Sequence, residues 1–392
     1  MRRFPISIFF KYYPMQITLI AGARPNFMKI APIIHAIQAA EAAGRNVHYR
    51  LVHTGQHYDK NMSDTFFEEL AIPAPDINLG CGGGTQAELT AHIMIAFEKE
   101  LMAHPADLVM VVGDVTSTMA CAIVAKKQRT QVAHVEAGIR SWDLTMPEEI
   151  NRMVTDTLTD WFFTTSEVAN QNLRNMGISE QKINFVGNVM IDTLLANLSR
   201  LRKPAVYDSI GLQAGRYVVL TLHRPQNVDE EAHLRLLMET IIQNVQGEPI
   251  IFPIHPRTAK LFYGLWGTAT DSAEENRKAL HARFPNMYIL DPMGYLEFNY
   301  LVAHSRAVIT DSGGITEETT VLGVPCITLR ANTERPETCT MGTNALIGTS
   351  PSAISPALEK LYSGKWKEGH IPALWDGHAA ERIVDILCNQ HV

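Results

Sequence analysis

The sequence Ala307-Val-Ile-Thr-Asp-Ser-Gly-Gly-Ile-Thr-Glu-Glu318 decides the fold and suggests a ligand. Its first four residues form a short apolar run that predicts a buried strand, and a helix follows after a turn. Gly313 and Gly314 allow a tight turn and the close approach of a ligand. The free N–H groups of a helix start favour a diphosphate, and Glu318 is suited to accept the hydroxyl protons of a ribose. The segment therefore predicts a nucleoside diphosphate with a sugar attached, although an ordinary strand-to-helix turn explains it about equally well.

The composition is that of a globular, cytoplasmic protein. The chain has 392 residues, 46% hydrophobic and 19% charged, which is enough for two domains of ordinary size. The net charge of −7 argues against nucleic acid as a partner. The five cysteines form no CxxC pair, which favours reduced thiols over a zinc cage or disulfides. The apolar run within Met1–Pro14 is too short for a membrane span. We therefore expect these residues to form an extension outside the fold, and we expect no membrane association.

Strand-like and helix-like segments alternate along the chain, which predicts right-handed βαβ units and parallel sheets. The predicted strands are 16–21, 47–53, 107–112, 131–135, 161–164, 183–186, 217–222, 249–253, 287–290, 307–310 and 325–329. The predicted helices include 25–43, 62–70, 87–103, 116–127, 148–157, 167–176 and 230–246. Because the pattern restarts after a break at Leu198–Ala214, we predict an α/β fold of two doubly wound Rossmann-like domains that face each other across a cleft. The predicted limits are 15–188 and 189–377, with ligands beyond the carboxyl ends of the strands.

Charged residues follow several strands of the first predicted domain. Arg24 offers a planar fork and Lys29 a point charge near a helix start, which suits phosphate, although both fit ordinary solvated cations as well. Asp114 and Glu148 also fit ordinary helix starts. Glu136, between an apolar strand and a glycine turn, needs a partner or a raised pKa. Three acids in one predicted cleft form a candidate acid/base cluster.

The second predicted domain places cations at its strand ends. His223 and Arg224 follow its first strand, and His255 and Arg257 follow its second. We expect these side chains to neutralise a pyrophosphate and to donate to a leaving group. The turn after the first strand of the chain is not GxGxxG, and neither a Walker A loop nor an HExxH motif occurs, so the sequence predicts no metal site.

Taken together, these motifs resemble the non-hydrolysing UDP-N-acetylglucosamine 2-epimerase family, from about Met15 to Ile386. The resemblance rests on motifs in a fixed order: Gly22-Ala-Arg-Pro25 with Lys29, Gln56-His57, Gly113-Asp114, His134-Val-Glu-Ala-Gly138, Pro147-Glu-Glu149 with Asn151-Arg152, His223-Arg224, residues 311–318, Thr333-Glu-Arg-Pro-Glu337 and Asp376-Gly377. It implies the glycosyltransferase-B fold, with a C-terminal helix at His378–Cys388, within residues 378–392, that returns to the first domain.

The resemblance also implies roles for the site residues. The substrate-binding residues are Arg24, Lys29, Arg152, His255, Phe298, Ser312, Gly313, Gly314, Glu318 and Arg335. Asp114, Glu136 and Glu148 are the acid/base residues, and His223 is the catalytic histidine near the diphosphate. In the implied reaction, a base removes the C2 proton while UDP leaves C1, and UDP re-adds to the resulting 2-acetamidoglucal with a proton on the other face. The partner is a UDP-sugar, no cofactor is required, the product serves surface polysaccharide synthesis, and a homodimer is expected.

Some family members bind a second, activating UDP-N-acetylglucosamine. The candidate residues for such a second site are Gln56, His57 and Arg257. However, Asp59 stands where an amide or a longer acid is common, and the glycine-rich Leu79–Gly84 replaces a segment that carries an arginine. We therefore expect hyperbolic kinetics without such activation.

Three alternatives remain open from the sequence. A sister group with similar Gln-His-Tyr/Phe-Asp sequences epimerises UDP-2,3-diacetamido-2,3-dideoxyglucuronate. A UDP-sugar glycosyltransferase would share the fold but use the acids on an acceptor hydroxyl. A non-catalytic UDP-sugar sensor would not need Asp114, Glu136, Glu148 and His223 together, so their joint presence favours an enzyme.

Overall fold

Two parallel β-sheets with helices between their strands form the protein. The computed structural model describes residues 14–56, 67–254, 256–266, 270 and 272–390. Within these residues, the first sheet has seven strands in the order β3-β2-β1-β4-β5-β6-β7, and the second has six in the order β10-β9-β8-β11-β12-β13. Every strand pair is parallel. The predicted α/β fold of two doubly wound, Rossmann-like domains is confirmed.

The strands lie close to where the sequence predicts them. The first sheet consists of β1 (Met15–Ala21), β2 (Val47–His53), β3 (Ile77–Asn78), β4 (Leu108–Val112), β5 (Gln131–Val135), β6 (Trp161–Thr164) and β7 (Ile183–Phe185). The second consists of β8 (Val218–Thr221), β9 (Ile250–Pro253), β10 (Met287–Leu290), β11 (Ala307–Thr310), β12 (Cys326–Thr328) and β13 (Asn344–Leu346). Among the strands of the described residues, only β3 and β13 were not predicted, because these short edge strands carry too few residues to form a pattern.

Helices cover the sheets. Their bounds are Arg24–Ala42, Gln86–Ala103, Thr116–Lys127, Pro147–Leu158, Glu167–Asn175, Val189–Asn197, Ala205–Ile210, Pro225–Val228, Glu231–Asn244, Pro256–Leu265, Ala273–Arg283, Tyr295–His304, Gly313–Leu322, Pro336–Thr340, Ile354–Tyr362 and Ala379–Gln390. Most of the helix predicted at 62–70 lies outside the described residues. Among the residues that the structure describes, no helix combines the length and the hydropathy that a membrane crossing requires.

The buried strands decide where a ligand can bind. All residues of β4 and β11 are buried, as expected for central strands that are covered by helices on both faces. In each sheet the strand order reverses beside one of these strands, between β1 and β4 and between β8 and β11. Open α/β sheets bind ligands at the carboxyl ends of the strands at such a reversal. Both sheets therefore offer a binding edge at these strands.

The C-terminal helix, predicted at His378–Cys388, runs from Ala379 to Gln390 and packs on the first domain. Its buried residues Ile383 and Leu387 belong to the same core cluster as residues of β1 and β4. The carboxylate of Asp192 accepts hydrogen bonds from the N–H groups of Ala379 and Ala380, at 3.1 and 2.7 Å, and so caps this helix. The exact domain limits, 15–188 with 378–392 and 189–377, remain our proposal.

Replacing Ile383 should show how much this helix stabilises the first domain. We expect Ile383→Ala to lower the free energy of unfolding by about 2–5 kcal/mol, because it empties a fully buried site. The matched control is Ile386→Ala on the same helix, since Ile386 is only partly buried. Urea denaturation measures both variants. Equal losses would contradict the packing described here.

Candidate functional site

A cavity of about 550 Å³, which we call the main cavity, lies between the two sheets at the carboxyl ends of β1, β4, β8 and β11. An adjoining space of about 350 Å³, the side cavity, shares Met28, Met190, His223, Ser312 and Gly314 with it as lining residues. Both sheets contribute at their points of strand reversal, which are the usual ligand sites of this fold. The two spaces form one continuous candidate site.

The carboxylate of Glu136 joins the two domains through two cations. Its Oε2 accepts hydrogen bonds from Lys29 Nζ at 2.7 Å and from Arg335 Nη2 at 3.0 Å. Arg335 also donates from Nε to Glu317 Oε1, which accepts a further hydrogen bond from Asn188 Nδ2 at 2.9 Å. Because all of these residues are buried, each charge depends on the next for compensation.

Glu136 is ionised and has an unusual backbone. Its φ of 74° lies in the left-handed region, which glutamate seldom adopts and which is typical of functional sites. Burial alone would raise the pKa of its carboxyl, but Lys29 and Arg335 hold the pKa below its ordinary value. Glu136 sits behind these two cations, which line the main cavity. Its Oε1 is buried and has no hydrogen-bond partner among the described residues.

Asp114 lines the main cavity and is held by Arg152. Its Oδ2 accepts hydrogen bonds from Arg152 Nε at 3.1 Å and Nη2 at 2.8 Å. Burial alone would raise the pKa of Asp114, but Arg152, Lys29 and Arg335 lower it to about 2. The helix that follows has Val115 at its N-cap, without a side-chain cap. Asp114 is therefore an ionised residue of the cavity and not a helix cap.

A second ion-pair bridge crosses the cleft beside the first. Arg152 Nη2 lies 3.4 Å from Oε1 of Glu334, which belongs to the second domain. Glu334 in turn accepts two hydrogen bonds from Arg330, both at 2.8 Å. Burial alone would raise the pKa of Glu334, but Arg330 and Arg152 lower it to about 2. The Arg152–Glu334 bridge therefore remains charged over the physiological pH range.

The adjacent glutamates at the start of helix Pro147–Leu158 differ in their surroundings. Glu149 is fully buried and accepts hydrogen bonds from the N–H and Oγ of Ser141, at 2.9 and 3.0 Å, and from the N–H of Trp142, at 3.1 Å. It also pairs with Arg152. Glu148 is only partly buried and lines the main cavity. Glu149 therefore holds the preceding loop, while Glu148 faces the space for a ligand.

Asp311 orients His223, which lines both cavities. His223 Nδ1 lies 2.8 Å from Asp311 Oδ1, and the imidazole is half exposed. Asp311 also accepts hydrogen bonds from the backbone N–H groups of His223 and Arg224 and from Asn227 Nδ2. Burial alone would raise the pKa of Asp311, but His223 and Asn227 hold it below its ordinary value. The histidine ring is thereby fixed on the wall of the cleft.

The turn after β1 brings Lys29 to the site. The side-chain oxygen of Asn26 accepts hydrogen bonds from the N–H groups of Gly22 and Ala23, at 3.0 Å each. Gly113 has a φ of +65°, and a Cβ atom there would lie 2.6 Å from Lys29 Nζ. Asn26 therefore shapes the turn, and glycine at position 113 leaves room for the ammonium group.

The side cavity holds residues predicted to bind a nucleotide. Phe298, Ser312, Gly314 and Glu318 all line it. Ser312 is the N-cap of helix Gly313–Leu322, whose first N–H groups lack partners within the helix. Burial raises the pKa of Glu318 to about 7, and Asn299 Nδ2 lies 3.5 Å from its Oε1. N–H groups that can bind an anion and a buried carboxylate that can accept hydrogen bonds from hydroxyls thus lie on the same wall of the side cavity.

The structure brings most of the predicted site residues together. Those that line the main cavity are Lys29, Gln56, Asp114, Glu148, Arg152, His223, Ser312, Gly313, Gly314 and Arg335. Phe298 and Glu318 line the side cavity. His57 and His255 lie outside the described residues, as do the side chains of Arg24 and Arg257. Gln56 Oε1 accepts hydrogen bonds from Ser117 N and Oγ, at 3.1 and 2.8 Å. Because His57 and the side chain of Arg257 lie outside the described residues, the expected lack of activation by a second UDP-sugar stays a prediction.

Two charged residues of the main cavity, Glu317 and Glu334, were not predicted as site residues, although each neighbours a predicted residue in the sequence. Arg224, which was expected beside His223 as a cation for a pyrophosphate, also lines this cavity. The Nε of Arg224 is buried without a hydrogen-bond partner among the described residues. Successive residues of a helix point about 100° apart. The adjacent pair Glu317-Glu318 in the sequence therefore did not show that both carboxylates line the cleft. A cation with spare donors in a cavity suits an anionic ligand.

The fold and the cleft define a protein of the glycosyltransferase-B architecture, with two Rossmann-like domains that face each other. The family model described as UDP-N-acetylglucosamine 2-epimerase matches residues 39–388. The chain belongs to this family.

Similar proteins cover nearly the whole chain. The UDP-N-acetylglucosamine 2-epimerase of Methanocaldococcus jannaschii is 41% identical over 383 residues, 95% of this chain and 99% of the relative. A crystal structure of the UDP-GlcNAc 2-epimerase from that organism, in complex with UDP-GlcNAc and UDP, has a TM-score of 0.82 at 40% identity and covers 96% of this chain and 100% of its own. The UDP-2,3-diacetamido-2,3-dideoxy-D-glucuronate 2-epimerase of Pseudomonas aeruginosa is 36% identical over 377 residues, 95% of this chain and 99% of the relative.

The contrast between Glu148 and Glu149 can be measured as stability. We expect Glu149→Ala to lower the free energy of unfolding by about 3–5 kcal/mol, because it removes one of the acidic partners of Arg152 and leaves the N–H groups of Ser141 and Trp142 without their acceptor. Its neighbour provides the control, and Glu148→Ala should change stability by less than about 1 kcal/mol. Denaturant titration measures the free energy of unfolding of both variants. Similar decreases in the two would show that Glu148 also has a structural role.

Proposed function

We propose that the protein interconverts UDP-N-acetylglucosamine and UDP-N-acetylmannosamine by elimination and re-addition of UDP. The observation that carries this proposal is the composition of one cleft. The first domain contributes the ionised carboxylate of Asp114, with ionised Glu136 directly behind Lys29 and Arg335, and the second contributes the glycine-rich helix start at Gly313. Proton transfer and the departure of a diphosphate can therefore take place on opposite walls of the same space.

In the proposed complex, UDP occupies the side cavity and its diphosphate lies at the helix start. Glu318 accepts the ribose hydroxyls, and Phe298 lies beside the uracil. The N–H groups at Gly313 and Gly314 and the side chains of His223 and Arg224 surround the diphosphate. These donors compensate the charge that develops on UDP as it leaves, which is the main electrostatic requirement of the reaction.

The sugar would then lie in the main cavity, between the carboxylates. The C2 proton is weakly acidic, so its removal must be coupled to the loss of UDP from C1. An ionised carboxylate takes this proton, and a second group must deliver a proton to the opposite face of the 2-acetamidoglucal. The candidates are Asp114 and Glu148, which line the main cavity, and Glu136, which lies directly behind Lys29 and Arg335. Lys29 and Arg152 keep Glu136 and Asp114 ionised and in position.

A second candidate substrate is UDP-2,3-diacetamido-2,3-dideoxyglucuronate. The 36% identity to the Pseudomonas aeruginosa 2-epimerase for that sugar supports this second candidate. Both reactions invert C2 by the same chemistry, so they differ only in the substituents at C3 and C6. Parallel assays with both UDP-sugars distinguish them. We further propose a cytoplasmic homodimer that supplies a precursor of surface polysaccharide, since UDP-sugar epimers feed such synthesis.

The direct test is to incubate the protein with UDP-N-acetylglucosamine in deuterated water. The proposal requires UDP-N-acetylmannosamine that carries deuterium at C2, because the proton removed is replaced from solvent. Mass spectrometry and NMR identify the position. Absence of both exchange and epimer, in an assay without acceptor, would favour a glycosyltransferase or a binding protein instead.

Glu136→Gln tests the proposed proton transfer. The amide keeps an oxygen for Lys29 and Arg335 but cannot accept a proton, so we expect turnover to fall at least about a hundredfold. UDP affinity, measured by calorimetry, should remain nearly unchanged. A variant with near-normal turnover would reduce Glu136 to a structural residue.

The proposed role of Glu318 predicts a pH dependence of binding. Its pKa of about 7 means that the carboxyl becomes ionised between about pH 6 and 8. Ribose hydroxyls donate to the ionised form, so by linkage UDP affinity should rise across this range. We expect the variant Glu318→Gln to bind UDP more weakly. Its UDP affinity should change with pH only through the titration of the UDP phosphate. Identical pH profiles for the two proteins would show that Glu318 does not contact the ribose.

A further inference from the structure

The helix Tyr295–His304 forms part of the proposed nucleotide site. Tyr295, Phe298 and Asn299 in its first turns line the side cavity. Asn299 also lies within 3.5 Å of the carboxylate of Glu318. The N-cap residue of this helix is Gly294, which has no side chain to satisfy the free N–H groups. Something else must therefore hold the start of the helix.

A carboxylate from the first domain does so. Oε2 of Glu69 accepts a hydrogen bond from the N–H of Tyr295 at 2.8 Å, and Oε1 accepts one from Arg202 Nη2 at 2.7 Å. Glu69 is buried. Arg202 lies in the segment of the chain that connects the two sheets. A buried carboxylate at a helix start is favoured both by the hydrogen bond and by the helix dipole.

The apolar surroundings place this contact firmly at the joint between the domains. Leu70 and Ile72 of the first domain share one buried cluster with Tyr295 and Leu296 of the second. The helix start is therefore packed against the first domain and is capped by it at the same point.

Gly294 supports this reading. Its φ of −63° and ψ of 163° are open to any residue, so the backbone itself does not require glycine. A Cβ atom at this position would, however, lie 2.6 Å from Oε1 of Glu69. The space that an ordinary N-cap side chain would occupy is filled by the carboxylate of another domain.

We propose that Glu69 is a positioning residue that caps the helix Tyr295–His304 from the other domain and thereby sets the shape of the nucleotide site. The inference rests on the proposed function for its binding readout. Without the cap, the first turn loses its only side-chain acceptor among the described residues, and Phe298 and Asn299 shift with it. The first domain thus shapes a pocket whose walls belong mainly to the second.

The experiment compares Glu69→Ala with Glu68→Ala, which removes an exposed glutamate from the preceding position. Calorimetry with UDP should show an affinity about tenfold lower for Glu69→Ala, which corresponds to about 1.4 kcal/mol, and no change for Glu68→Ala. Hydrogen exchange of the Tyr295 amide should be faster in Glu69→Ala only, with or without UDP. Unchanged affinity and unchanged exchange in Glu69→Ala would overturn the proposal.

A rescue variant separates capping from general stability. Glu69→Ala creates room for a Cβ atom at position 294, so adding Gly294→Ser supplies a local cap to the same helix. We expect this double variant to recover most of the UDP affinity and the slow exchange of the Tyr295 amide. Loss of affinity that the serine does not restore would overturn the capping role, as would failure of both variants to fold.

The two proposals fail in different ways. If the wild-type protein does not bind UDP at all, the proposed function is wrong, and the exchange of the Tyr295 amide alone then decides whether Glu69 caps the helix. If the wild-type protein binds UDP and Glu69→Ala binds equally well, the proposed function stands and the positioning role is lost.

Discussion

One carboxylate oxygen, Oε2 of Glu136, links the two domains at the centre of the cleft through a cation from each. It accepts hydrogen bonds from Lys29 in its own domain and from Arg335 in the other. A buried carboxylate with only one such partner would favour its neutral form, because desolvation opposes the charge. With two cations it remains ionised, and the second cation reaches it only when the cleft brings the sheets together. The state of the acid and the geometry of the cleft are therefore linked.

Charge is balanced throughout this cleft. Arg152 bonds to Asp114 and Glu334, much as Arg335 bonds to Glu136 and Glu317. Each arginine thus joins acids of both domains, and each acid keeps its neighbours in position. An incoming diphosphate meets donors already aimed by these acids, together with the N–H groups of a helix start. Such preorganisation lowers the cost of stabilising charge as a bond breaks.

The sequence by itself determined the fold and the edge at which the site lies. Central strands such as Leu108–Val112 and Ala307–Thr310 are buried on both faces, so they are continuous apolar runs that a sequence shows directly. The polar residues that follow such runs must lie at the carboxyl edge of a parallel sheet, which is why Asp114, His223 and Ser312 were predicted and do line the cleft. These features depend only on neighbours along the chain.

Only the tertiary structure decided which charges meet. Glu136 and Arg335 are separated by 199 positions and Glu69 and Tyr295 by 226, and no local pattern connects such pairs. The structure also placed Glu136 behind its cations and made Glu149, not Glu148, the residue that holds the loop. The physical reason is that hydrogen bonds and ion pairs act over a few ångströms in space, whereas a sequence records only order along the chain.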